Sequence, residues 1–163
     1  MTAETEDLSS EIAALLPRLR RFGRNLTRHR EDADDLVQLA VERALQRAEQ
    51  WQPGTRLDSW LFRIMQNAWI DELRARGRAA ETFAPEEDGA NVGVHDGDTQ
   101  IDAIAVRKAV ARLGDEQRAV VALVLVEGLP YKEAAAVLGI PIGTLTSRLA
   151  RARDTLQSML SPP

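Results

Sequence analysis

The chain has 163 residues, 44% of them hydrophobic, enough for one domain or two small ones with a packed core and too many for wholesale disorder. Its 21 Lys+Arg against 25 Asp+Glu leave a net charge of −4, and the lack of any cysteine excludes disulfides and thiolate metal sites and fits a reducing compartment. The first residues, MTAETEDLSSE, lack the basic and apolar regions of a secretory signal. The longest apolar run, Ala119–Val126, falls far short of the roughly 18 residues of a membrane span, so the expectation is a soluble cytoplasmic protein.

Abundant Ala, Leu, Arg and Glu favour helix throughout. From Leu8 to Arg28 the apolar residues Ile12, Leu15, Leu16, Leu19, Phe22 and Leu26 form a helical stripe, with Pro17 predicting a kink or a later start. A second helix is predicted over Asp32–Gln50, with acids in its first turn and a stripe of Leu36, Val37, Ala40, Val41, Ala44 and Leu45. The Pro-Gly pair in WQPGT (51–55) marks a loop. A third helix runs from Leu57 to about Arg78, with Trp60, Leu61, Ile64, Ala68 and Leu73 on one side and Arg74, Arg76 and Arg78 near its C-terminus.

Residues 79–98 lose all periodicity and are rich in Gly, Pro, Asp and Asn. A stretch of about 20 such residues argues for a domain boundary. The expected fold is therefore all-α: a helical domain over 1–78, a flexible acidic linker over 79–98 and a second helical domain over 99–163. In the second domain Thr99 is a plausible cap for a helix through Ala111, and Asp115 for a helix over Glu116–Glu127. AVVALVLV reads as buried strand or helix by itself, and its length and neighbours favour helix. Pro130 opens a short helix to Leu138, Gly139 turns the chain, and Pro141 or Gly143 opens the last helix, to about Leu160.

Net charge hides a segregation. Residues 12–30 carry six arginines (18, 20, 21, 24, 28 and 30) and no acid, whereas 79–106 carry seven acids and no Lys or Arg. A local basic patch matters more to nucleic acid than total charge. A short helix, a glycine turn and a second amphipathic helix make a helix-turn-helix. Ala135 suits the close crossing of the two helices, Gly139 supplies the turn position with positive φ, and Leu145, Val137 and Leu138 point to the core. Thr144, Thr146, Ser147, Arg148, Arg151 and Arg153 are left to groove and solvent. Hydroxyls and backbone N–H groups at the start of such a helix bind phosphate, and arginines bind phosphate or a guanine edge. Arginines on an Ala-rich helix are by themselves most often a solvated face; the Ala135–Gly139–Leu145 spacing is what favours DNA.

Two blocks carry a family resemblance. RHREDADDLVQLAVERAL (28–45) with RLDSWLFRIMQNAWIDELRARGR (56–78) resembles region two of a bacterial sigma factor. LGDEQRAVVALVLVEGLPYKEAAAVLGIPIGTLTSRLARARDTL (113–156) resembles region four. With no recognisable region three between them, the layout is similar to the extracytoplasmic-function (ECF) group, and WQPGT is similar to that group's alphaproteobacterial general-stress members. The resemblance implies a non-enzymatic protein that binds core RNA polymerase, takes it to promoter DNA and helps melt it, usually under an anti-sigma factor, with no cofactor. It implies that Asp34, Asp35 and Gln38 dock on the polymerase clamp, although on their own they read as a solvated helix start. It implies that Trp60, Arg63, Gln66 and Asn67 meet the melted minus-ten strand, Asn67 in a base pocket, with Arg74, Arg76 and Arg78 on phosphates. Trp60 and Trp69 are alternatively plain core, the reading preferred for Trp69. Thr144, Thr146, Ser147, Arg148 and Arg151 would meet the minus-thirty-five element.

Three positions depart from the family pattern: Thr146 where a base is frequent, Leu39 where an acid is frequent, and Asp58, an acid beside the DNA-facing Trp60. The arginines over 18–30 fit DNA, polymerase or solvent equally. Among rival readings, an enzyme lacks support: the two histidines, His29 and His95, form no HExxH, and there is no nucleophile elbow or phosphate-cradling loop. A decoy that sequesters an anti-sigma factor would not need Asn67 and Arg148. A simple helix-turn-helix repressor would not need DADDLVQ and WLFRIMQN.

Overall fold

The computed structural model describes residues 3–80 and 101–161, and every element in them is helical. They fall into two compact units, Met1–Glu87 and Asp88–Pro163. The expected linker beyond Ala80, its acids and the Thr99 cap lie outside the described residues.

In the first unit three helices pack mutually: α1 (Ala3–Thr27), α2 (Arg30–Gln46) and α3 (Leu57–Ala80). The core stripe of α1 is Leu8, Ile12, Leu19, Phe22 and Leu26, and it meets Leu36, Val37, Ala40 and Ala44 of α2. Of the expected kink or later start at Pro17, the later start does not occur: α1 runs through it. Pro17 sits on the exposed side of the helix, as does Ala13, whose carbonyl loses its helical donor on a side open to solvent. Gly23 lets the helices close up: a Cβ there would lie 3.3 Å from the Ala33 carbonyl oxygen and 3.4 Å from the Met65 side chain.

The second helix starts two residues before the expected Asp32 and ends at Gln46. A single 3₁₀ turn, Ala48–Gln50, finishes the segment. Leu45, expected in its apolar stripe, is 40% exposed. The core face of α3 is wider than the periodicity suggested. Phe62, Met65 and Trp69 are buried with Leu61, Ile64 and Ala68, while Trp60 and Leu73 are half-buried.

The second unit comprises α4 (Ile101–Ala111), α5 (Asp115–Val121), a π-helical turn (Ala122–Val126), α6 (Tyr131–Leu138) and α7 (Ile142–Leu160). The run AVVALVLV is helical, as its surroundings favoured. Asp115 is not the cap of α5: Gly114 is, with φ −61° and ψ 158°. The Asp115 carboxylate is instead bonded to the guanidinium of Arg118, which is buried and also donates to the Leu113 carbonyl at 2.7 Å. One arginine thereby ties down the α4–α5 turn. Val110, Leu113, Val121 and Ala152 form a core cluster with Leu156 packed on it.

Gly139 closes α6 at φ 66°, in the left-handed region a side chain resists, and Ile140 N–H returns to the Ala135 carbonyl at 3.1 Å. Pro141 caps α7. Leu145, Leu149, Ala152 and Leu156 follow at spacings of four, three and four, one face of a helix turned into the core.

Candidate polymerase and nucleic-acid interfaces

On α2 the first-turn position favours acids through the helix dipole, and the core stripe fixes which acids face outward. Asp34, Asp35 and Gln38 are all exposed. Asp34 and Gln38, one turn apart, line an open groove between α1 and α2 together with Glu42. Arg20, Arg24 and Arg30 form its basic side. Part of the arginine-rich first helix thus faces the same groove as the acids.

The polar side of α3 carries Arg63, Asn67 and Arg74, all exposed, at helical spacings of four and seven. Trp60 borders this face half-buried. Gln66 is also half-buried, and its side-chain oxygen has no hydrogen-bond partner. Trp69 is 6% exposed and belongs to the core, as expected, although its indole N–H is likewise unpartnered.

Arg76 stands differently from the other arginines of α3. Its guanidinium holds Asp32 of α2 through two bonds of 2.8 and 3.2 Å, holds Glu72 at 3.0 Å, and lies 5.1 Å from the centre of the Trp69 ring. The Asp32 bond is the main reason its pKa rises from an already high value; partial burial opposes the rise and Glu72 adds to it. A phosphate would have to compete with two carboxylates for this side chain.

Asp58, the acid two residues before Trp60, is 7% exposed and fully engaged. Oδ1 accepts from Arg56 Nε at 3.1 Å and from the Ser59 backbone N–H at 2.8 Å. Oδ2 accepts from Arg56 at 2.9 Å and from Arg18 of α1 at 3.0 Å. Burial alone would raise its pKa; the bonds from Arg56, Arg18 and Ser59 outweigh it and hold the carboxyl below its ordinary range. Arg18 in turn lies 5.4 Å from the centre of the Phe62 ring, which packs on Phe22 at 4.7 Å. Sequence reading missed this cluster. Its one local signal was an arginine two residues before an aspartate at a helix start.

On α7, Thr144, Ser147, Arg148 and Arg151 follow at helical spacing, with Ser147 and Arg151 turned away from the buried stripe and Thr144 and Arg148 at its flank. Ser147 and Arg151 are exposed, Thr144 half-buried. Arg148 is half-buried and 3.7 Å from the highly exposed Glu116 carboxylate, a loose pair worth little in water. Thr146 is exposed and its hydroxyl donates to the Gly143 carbonyl at 2.9 Å. Among the described residues no cluster of His, Cys, Asp and Glu suits a metal ion, and no helix is long and apolar enough to cross a membrane.

The first unit thus sets an acidic helix beside an amide- and arginine-bearing one, and the second is a helix-turn-helix. Comparison with known proteins sharpens this. Residues 12–66 match the Sigma2 domain of PhyR, and residues 103–156 match sigma-70 region 4. The chain is 36% identical over 160 residues to the ECF RNA polymerase sigma factor EcfG of Rhodopseudomonas palustris, covering 96% of this chain and 86% of that protein. It is 42% identical over 143 residues to the ECF sigma factor SigM of Mycobacterium tuberculosis, covering 87% and 71% respectively. Its fold matches the sigma factor RpoE of Bartonella quintana, solved with the anti-sigma factor NepR, with a TM-score of 0.86 and 33% identity over 95% of this chain and 97% of that one. The chain belongs to the ECF family of RNA polymerase sigma factors.

Proposed function

We infer that the chain binds core RNA polymerase and directs initiation at specific promoters, residues 1–78 contacting polymerase and the minus-ten element and 99–163 the minus-thirty-five element, across a linker at 79–98. The similarity to EcfG over nearly the whole length carries this reading. In it Asp34, Asp35 and Gln38 dock on polymerase. Trp60, Arg63, Gln66 and Asn67 receive the unpaired strand; a ring can stack on a base and an amide can read a flipped base edge. The unpartnered oxygen of Gln66 suits an exocyclic amine. Arg74 takes a phosphate, while Arg76, already gripped by Asp32, does so only by exchange. On α7, Thr144, Thr146, Ser147, Arg148 and Arg151 meet duplex DNA. Strand opening needs no catalysis, because binding of unpaired bases offsets unstacking of a few kcal/mol per step.

Control by an anti-sigma factor is part of the proposal, supported by the partner in the Bartonella quintana complex, and the setting is cytoplasmic. Run-off transcription on a promoter-fragment library, with core polymerase and this protein, tests the reading. Initiation that depends on the protein and weakens with Asn67→Ala or Arg148→Ala is expected. Binding to core without initiation would instead indicate a decoy, a role the match of residues 12–66 to the PhyR domain keeps in view.

A further inference from the structure

The Asp58 cluster does more than a buried ion pair needs to do. A carboxylate offers about four acceptor sites, and here four donors fill them: two from Arg56, one from Arg18 and the Ser59 N–H. Three of these donors, the two of Arg56 and the Ser59 N–H, fix the local geometry of the helix start. The fourth comes from another helix, forty positions earlier in the chain. Arg18 is itself held on a second side, against Phe62, which belongs to the next turn of α3. The cluster therefore ties α1 to the first two turns of α3 at two points, Asp58 and Phe62, on either side of Trp60.

Such pairs seldom add net stability over well-packed apolar residues, because desolvating the charges offsets their attraction. What they add is directional: a carboxylate with four fixed donors has one place to sit, whereas an apolar contact tolerates sliding. The turn so fixed is the one that presents Trp60 and, three residues on, exposed Arg63.

We propose that Asp58 is a positioning residue for promoter opening: held by Arg18 and Arg56, it sets the angle at which the first turns of α3 offer Trp60 and Arg63 to the unpaired strand. This rests on reading α3 as the minus-ten helix. It makes the acid at position 58 an asset to DNA capture, although the residue touches no DNA and its charge is masked by two guanidiniums.

The test uses holoenzyme reconstituted with full-length protein. The probe is a fluorescent single-stranded oligonucleotide carrying the non-template minus-ten sequence of a promoter found by run-off transcription. Affinity for core polymerase is measured in parallel. Asp58→Asn and Arg18→Gln are each expected to weaken oligonucleotide binding about tenfold while core affinity stays within about twofold. The use of Arg18→Gln, at a partly exposed position, guards against a folding failure peculiar to Asp58→Asn. Parallel loss of both affinities in both variants would overturn the proposal, reducing the cluster to a stability element. So would unchanged oligonucleotide binding in the two variants while Trp60→Ala weakens it. If Trp60→Ala and Asn67→Ala also left it unchanged, the minus-ten reading of α3 would fail and this proposal with it.

Discussion

Asp58 shows how one side chain answers to its surroundings. Its carboxyl has a lower pKa folded than unfolded, so the stability it contributes is present above the unfolded value and lost as pH falls through the folded one. The stability gap between the wild-type chain and Asp58→Asn should therefore hold steady from pH 7 to about 5 and close below the ordinary carboxylate value of 3.8, as urea melts at fixed pH would show. At neutral pH the gap should be about 1–3 kcal/mol, the cost of leaving charged donors without their acceptor. Gly139 is a backbone case. At φ 66° a Cβ is strained whatever the free space around it, so Gly139→Ala should cost about 1–2 kcal/mol in a urea melt. That turn was legible in the sequence because its cause is local. The role of Asp58 was not, because the deciding partner, Arg18, is distant in sequence and became a neighbour only when α1 and α3 packed.

Among the helices, α1 carries an element-scale lesson. Periodicity located it, and of the kink or later start that its proline suggested, the later start does not occur. A proline removes one N–H and crowds one carbonyl, but whether the helix survives depends on what surrounds that carbonyl. Here that side is open to solvent. Pro17→Ala should restore the missing bond and stabilise the first unit by about 1–3 kcal/mol, read as a raised midpoint in thermal unfolding followed by circular dichroism. The extent of α3's core face was hidden for a related reason. Phe62, Met65 and Trp69 are buried because α1 and α2 cover α3 over a wide arc, and a single-helix pattern does not reveal how many neighbours it will have. The helix-turn-helix was the most legible element. Its small residue, its glycine and its buried leucine stand close together in the chain, and each is required by the same local crossing.

For the whole molecule, the net charge of −4 says little about DNA, because a local arginine rather than total charge meets a phosphate. Each phosphate contact releases counterions, so Arg74→Ala and Arg151→Ala should each flatten the salt dependence of promoter binding by holoenzyme by about one unit of log K per log salt, and the double variant by about two. A slope unchanged by both would mean neither side chain meets a phosphate. Arg76→Ala is expected to behave otherwise, weakening the α2–α3 contact at Asp32 with little change in slope.

The placement of the aromatic residues has an optical consequence. All three tryptophans, Trp51, Trp60 and Trp69, lie in the first unit, and the second has the chain's one tyrosine, Tyr131. Tryptophan emission therefore arises from the first unit alone. A titration followed by that light would report on α3, which carries two of the three, and on the loop before it, with no emission of the second unit's own mixed in.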